Sequence, residues 1–285
     1  MKVNRQSDNI LNTNVIINYS KLKPTLFFLP ALLIVTIVVF LYCQNSLNVN
    51  GYIEIQKNCF FFINSKLSQF PNIIYNLTQL GDALIFLSFL TSFIVFAPKV
   101  WECLISALLV SVVFSSILKN IFAVPRPAAV FDTQSFTIIG KTLSGHNSLP
   151  SGHSVTIFTI LTVLLFAFVP RKLPYKILWF FIIISTGMIL VFTRVGVGAH
   201  YPLDVISGSI VGYISGIIGI FIGLKYKIWN WISNKKYYPI FIVLFLICCI
   251  VLINKIRHDE IIIFYLSLIN LVISLFKIST FYVKK

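Results

Sequence analysis

The sequence predicts an all-α integral membrane protein, and three observations carry that reading. The 285-residue chain is 58% hydrophobic and 11% charged, whereas a soluble domain has about 25% charged residues. Its apolar residues fall in runs, several of them near the ~20 residues a helix needs to cross ~30 Å of hydrocarbon. Its Lys and Arg residues are shared unequally between alternate connections, as the positive-inside rule describes. No polar linker is long enough to separate two domains. The net charge of +15 does not point to nucleic acid, because the basic residues lie scattered between apolar runs and form no patch. Cys103, Cys248 and Cys249 fall in or beside apolar runs and read as small buried hydrophobes. Cys43 and Cys59 could share one side of the membrane, but no disulfide is expected, and no Cys/His spacing suggests a metal.

Taken in order, residues 1–24 are polar and basic and read as a cytoplasmic tail. A cleaved signal peptide fits poorly, since the first apolar run starts only near Leu26 and no small-residue cleavage site follows. Leu26–Tyr42 is the first span. Residues 44–80 mix Phe and Ile with Asn, Lys and Glu, which is too polar to span; short interfacial helices are expected, two of them separated by Pro71. Asp82 reads as the N-cap of a second span, about Ala83–Ala97. The third runs from about Trp101 to Phe122, and residues 128–149 form a loop. The fourth starts at Ser151-Gly152-His153 and ends near Val169, before Pro170. The fifth is about Tyr175–Phe192; the sixth opens at Pro202, suited to a first helical turn, and ends near Leu224. Residues 227–285 add two more spans, about Pro239–Ile253 and Ile261–Tyr282.

Eight spans put both termini on one side. That side collects 15 of the 23 Lys and Arg residues, so it is read as cytoplasmic. Trp101, Trp179, Trp229 and Trp231 fall near the same face, as an aromatic belt would.

Three charged segments then meet at the opposite face. Lys119 is followed after six residues by Arg126-Pro127. Leu149-Pro-Ser-Gly-His153-Ser154 opens span four. Thr193-Arg194 is followed after five residues by His200, and Asp204 comes four residues after His200. Each sits at the end of a long apolar run. A lone intramembrane His or Arg is often glue between helices, but ionisable residues at membrane depth default to functional hypotheses. Together they make an anion site with two imidazoles. Lys119, Arg126 and Arg194 supply cations, and an Arg fork holds phosphate bidentately. Ser151 and the N–H groups after it sit at a helix N-terminus, and Gly152 lets the backbone approach an anion closely. Asp204 is spaced to lie beside His200, fixing its tautomer, so His200 reads as nucleophile and His153 as general acid. Lys141 and His146, in the loop before Pro150, are candidate head-group contacts. Asp132, Lys255, Arg257, His258, Asp259 and Glu260 read as solvated loop charges.

The three segments resemble the type 2 phosphatidic acid phosphatase (PAP2) superfamily, whose pattern is Lys-x6-Arg-Pro, Pro-Ser-Gly-His and Ser-Arg-x5-His-x3-Asp. The likeness covers about residues 80–225, with Thr193 in place of the family's Ser. It implies a six-helix PAP2-like core within residues 25–226, with the last two helices as an extension. It also implies metal-independent phosphomonoester or pyrophosphate hydrolysis without a cofactor. His200 would carry a phosphohistidine, with Asp204 as its partner and His153 as the acid. The expected substrate is a lipid phosphate met at the outer face of a bacterial inner membrane: undecaprenyl pyrophosphate, phosphatidylglycerophosphate, phosphatidic acid or a lipid A phosphate. A phosphotransferase of the same fold is the second reading, and a transporter or scaffold with a degenerate site the third. The sequence gives no oligomeric state.

Overall fold

A computed structural model describes residues 3–283; Lys2, Lys284 and Lys285 of the charge count lie outside them, as do the side chains of residues 3–9. Among the described residues every regular element is helical. Six helices are long and apolar enough to cross a membrane, and a seventh apolar helix, Gly152–Ala167, is shorter.

The chain opens with α1 (Val3–Ser20). The sequence suggests a tail here, but Leu11, Val15 and Tyr19 recur every four residues and turn one face onto the bundle, where Val15 and Tyr19 are fully buried. Tyr19 donates to the carbonyl of Val163 (3.1 Å) and Asn18 to that of Ala167 (2.9 Å). After α2 (Phe28–Cys43), which is apolar on every side and mostly faces outward, come three short helices: α3 (Val49–Glu54), α4 (Lys57–Leu67) and α5 (Pro71–Thr78). Pro71 opens α5, as expected. Asn64 of α4 clamps the site end of the bundle, donating to the carbonyls of Thr137, Val195 and Gly196.

The expected second span is not one helix. It breaks into α6 (Ala83–Ser88) and α7 (Phe93–Phe96), with Phe89–Ser92 in tight turns between them. Four polar residues nearby explain how a break inside an apolar bundle is tolerated. Thr91 donates to the carbonyl of Ser88 (2.8 Å) and its hydroxyl oxygen pairs with the Ser274 hydroxyl (2.7 Å), the Trp101 indole donates to the carbonyl of Leu90 (2.8 Å), and Asn270 to the carbonyl of Ser88. The carbonyls of Ser88 and Leu90 beside the break thus keep partners, which buried backbone requires away from water. Asp82 caps α6 as expected, accepting from the N–H of Leu84 (2.9 Å).

The remaining long helices are α8 (Pro98–Phe122), α10 (Gly152–Ala167), α11 (Leu173–Gly196) and α12 (Pro202–Lys225), with the four-residue α9 (Pro127–Val130) after α8. The closest packing is of α12 on α10 and α8. A seam of glycines permits it: a β-carbon on Gly208 would lie 2.7 Å from the carbonyl oxygen of Ser151, one on Gly212 2.5 Å from that of Val155, and one on Gly219 would overlap Ala107. Small residues allow such close approach where lipid offers no hydrophobic drive. The chain closes with the antiparallel hairpin α13 (Tyr238–His258) and α14 (Ile262–Val283), α14 packing on α6. Trp101 is buried rather than part of a belt, and all five cysteines are free.

Gly219→Ala should force α12 off α8. The expected cost is that of overpacking, ~1–3 kcal/mol, read as a lower midpoint of thermal unfolding in detergent. An unchanged midpoint would show that the seam is not tightly closed.

Candidate functional site

The three motifs converge where α8 and α11 end and α10 and α12 begin. Lys119, in the last turn of α8, reaches Gly152: a β-carbon there would sit 3.3 Å from its Nζ. Arg126 is held by Asn147, whose side-chain oxygen accepts from Nε (2.8 Å), and by the carbonyl of Ala199 (3.4 Å). Arg194, in the last turn of α11, donates through one terminal nitrogen to Thr78 (2.9 Å), while its Nε is buried without a partner in the protein. Arg126 and Arg194 are each less than a tenth exposed.

Ser151 is the N-cap of α10. Its N–H donates to the carbonyl of Asp204 (3.0 Å), which joins the second motif to the third. The turn from Arg194 to His200 needs Gly198 at φ +77°, in the left-handed region, and the N–H of Ala199 closes it on the carbonyl of Arg194. His200 is thereby buried beside α12, and His153 lies on the first turn of α10.

Asp204 is fully buried and carries more partners than its spacing suggests. Its Oδ1 accepts from the Tyr52 hydroxyl (2.8 Å). Its Oδ2 accepts from the Ser148 hydroxyl (2.6 Å) and the N–H of Tyr201 (2.9 Å). His200 Nδ1 is 3.5 Å from that Oδ2 and 3.3 Å from Ser148 Oγ. The network fixes the tautomer. Ser148 spends its hydrogen on the carboxylate, so its oxygen can only accept, and Nδ1 must be the ring's donor. Nε2 then bears the lone pair. Burial first, and then the cations Arg126, Arg194 and Lys119, hold the His200 imidazole well below its ordinary range, so the ring is neutral.

All eight residues assigned to catalysis and phosphate binding from sequence therefore meet. Lys141 and His146 do not join them; both are exposed in the loop before α10. Ser148 and Tyr52 were not legible as site residues. Ser148 is two residues before Pro150, but nothing in its spacing shows contact with Asp204. Tyr52 is 152 residues from Asp204 in sequence and comes from a short helix with no motif. Lys255, expected in solvent, instead pairs with Asp82 at 2.8 Å. Among the described residues no group of three His, Cys, Asp or Glu side chains is arranged to hold a metal ion.

The PAP2 superfamily profile matches residues 101–229. A lipid A 1-phosphatase of Rhizobium etli is 34% identical over 145 residues, covering 46% of this chain and 58% of the relative. A lipid A 1-phosphatase of Rhizobium johnstonii is 35% identical over 129 residues, covering 41% and 49%. The chain thus spans about half the length of the curated relatives it matches. The crystal structure of Aquifex aeolicus LpxE aligns with a TM-score of 0.48 at 28% identity, covering 59% of this chain and 95% of that one. The matched segment holds every motif residue from Lys119 to Asp204.

Proposed function

We propose that this protein is a membrane lipid phosphatase that removes a phosphate through a phosphohistidine on His200. One observation carries the reading. Three cations and two imidazoles crowd one buried point, and the single carboxylate there is already engaged by Tyr52, Ser148, Tyr201 and His200. Buried cations without counter-charge are costly, and a phosphate dianion between Lys119, Arg126 and Arg194 supplies that charge. The unpartnered Nε of Arg194 supports the same conclusion.

In the first step the Nε2 lone pair attacks phosphorus. A P–N bond forms, the P–O bond to the lipid breaks, and His153, protonated when the phosphate dianion offsets the neighbouring cations, gives its proton to the leaving oxygen. Positive charge that develops on the His200 ring is stabilised through Nδ1–H by Ser148 and Asp204. Lys119, Arg126, Arg194 and the N–H groups at the start of α10 stabilise the three equatorial oxygens. In the second step water attacks phosphorus, His153 takes its proton, and the P–N bond breaks to free phosphate. The relatives' names make a lipid A phosphate the first substrate to assay, ahead of undecaprenyl pyrophosphate, phosphatidylglycerophosphate and phosphatidic acid.

The charge distribution supports an orientation with both termini cytoplasmic and the site outside. A reporter fused after Lys285 should be active only in the cytoplasm; activity in the outer compartment alone would reverse the orientation.

The donor set supports chemistry without a divalent ion, which prefers clustered oxygen ligands. Chelator should leave activity intact, and vanadate should inhibit. Activity that is lost in chelator and restored by magnesium would refute this.

Acid-labile phosphate should be trapped on the wild type and be absent from His200→Ala. An aryl phosphate, whose leaving group needs no proton, should rescue His153→Ala far better than His200→Ala. The expected recovery is much of the ~10²–10⁴-fold that general acids contribute. Tyr52→Phe should slow the first step several-fold. Label found on His153 instead would exchange the roles of the two histidines.

A further inference from the structure

The hairpin of α13 and α14 lies beyond the segment that the superfamily profile matches, yet it reaches the site from behind. We propose that the ion pair between Lys255 of α13 and Asp82 is a latch that positions His153 for proton delivery. The inference rests on His153 being the general acid, as argued above.

The His153 ring makes no hydrogen bond among the described residues, so packing sets its orientation. The surface it packs on is Gly81: a β-carbon at this position would overlap the His153 side chain. Gly81 ends a single 3-10 turn, Gln79–Gly81, which has too few hydrogen bonds of its own to be rigid. It is fixed from its two ends. On one side Thr78 accepts from Arg194 (2.9 Å), so the same short segment touches a phosphate-binding group as well as the acid. On the other side Asp82 accepts from Lys255 Nζ through Oδ2 (2.8 Å) while its Oδ1 caps α6. The hairpin turn adds a second tie, in which the N–H of Ile263 donates to Asn76 (3.1 Å).

The energetic scale favours positioning over stability. Lys255 and Asp82 are each about one-third exposed, at 33% and 32%, and a pair so exposed adds little to folding. Proton transfer is far more sensitive to placement, since displacement by about 1 Å can cost about 10²-fold in rate. A weak pair beside a catalytic ring therefore acts mainly on geometry. It also neutralises a carboxylate that would otherwise stand uncompensated one residue from the surface supporting His153.

The test compares a poor and a good leaving group in the full-length protein, using octadecyl phosphate and p-nitrophenyl phosphate. Lys255→Met keeps the apolar stem, and Asp82→Asn keeps the cap on α6 (asparagine is as good an N-cap as aspartate). The reading is single-turnover release of the alcohol, which reports the first step alone and not the later attack of water. Each variant should lower that rate for octadecyl phosphate about tenfold, part of what a general acid contributes. Each should change it for p-nitrophenyl phosphate less than about twofold. The double variant should be no worse than either single one, and Lys255→Arg should recover most of the loss. Equal losses on both substrates, or wild-type rates in both variants, overturn the latch. His153→Asn, run alongside, should show the same selectivity with a larger loss. If it does and Lys255→Met does not, only the latch falls. If His153→Asn slows both substrates alike, the acid assignment falls and the latch with it.

Discussion

The site depends on one buried carboxylate. Asp204 is fully enclosed, and a charge there survives only if donors surround it. They come from separate parts of the chain: Tyr52 from α3, Ser148 from the strand of loop before α10, and Tyr201 and His200 from the turn into α12. Satisfying that carboxylate thus fixes three segments against one another. It also decides the tautomer of His200 through Ser148, so the requirement that holds the site together is the one that leaves Nε2 free. A network of this kind is all-or-nothing, because each member removed leaves the others buried and unpaired.

The cations work against the fold. Lys119, Arg126 and Arg194 converge where two helices end and two begin, with one carboxylate among them. The bundle tolerates this because its apolar packing is close elsewhere. The glycine seam of α12 seats that helix on α10 and α8 at backbone distance, and these are the helices that carry the motifs. The charge imbalance remains available for an anion.

The broken helix has a comparable logic. A continuous α6–α7 would need no help from its neighbours. The interruption at Phe89–Ser92 exposes carbonyls and hydroxyls that Ser274, Asn270 and Trp101 engage. The C-terminal hairpin is thereby integral to the bundle. Its α14 secures the middle of the broken segment, and Lys255 of α13 secures the end next to His153.

The sequence by itself determined the class of protein and the site's membership. Apolar run length and scarcity of charge leave only membrane-spanning helices, and Lys, Arg, His and Asp at the ends of such runs are too costly to be incidental. Those constraints are local or depend on fixed spacing, so Lys119, Arg126, His153, Arg194, His200 and Asp204 could all be read from the chain. Asp82 as a cap was equally legible, because capping is set within three residues. The tertiary structure alone decided the rest. Tyr52 and Ser148 became partners of Asp204, Lys255 found Asp82 across 173 residues, and residues 3–20 became a docked helix rather than a tail. The span expected at Ala83–Ala97 is broken where Thr91 and Ser92 meet Asn270 and Ser274 and Trp101 meets the carbonyl of Leu90, contacts no periodicity encodes. A hydrogen bond between distant segments carries no signature in either segment. It exists only once packing has brought the two together and removed the water that would have served them separately.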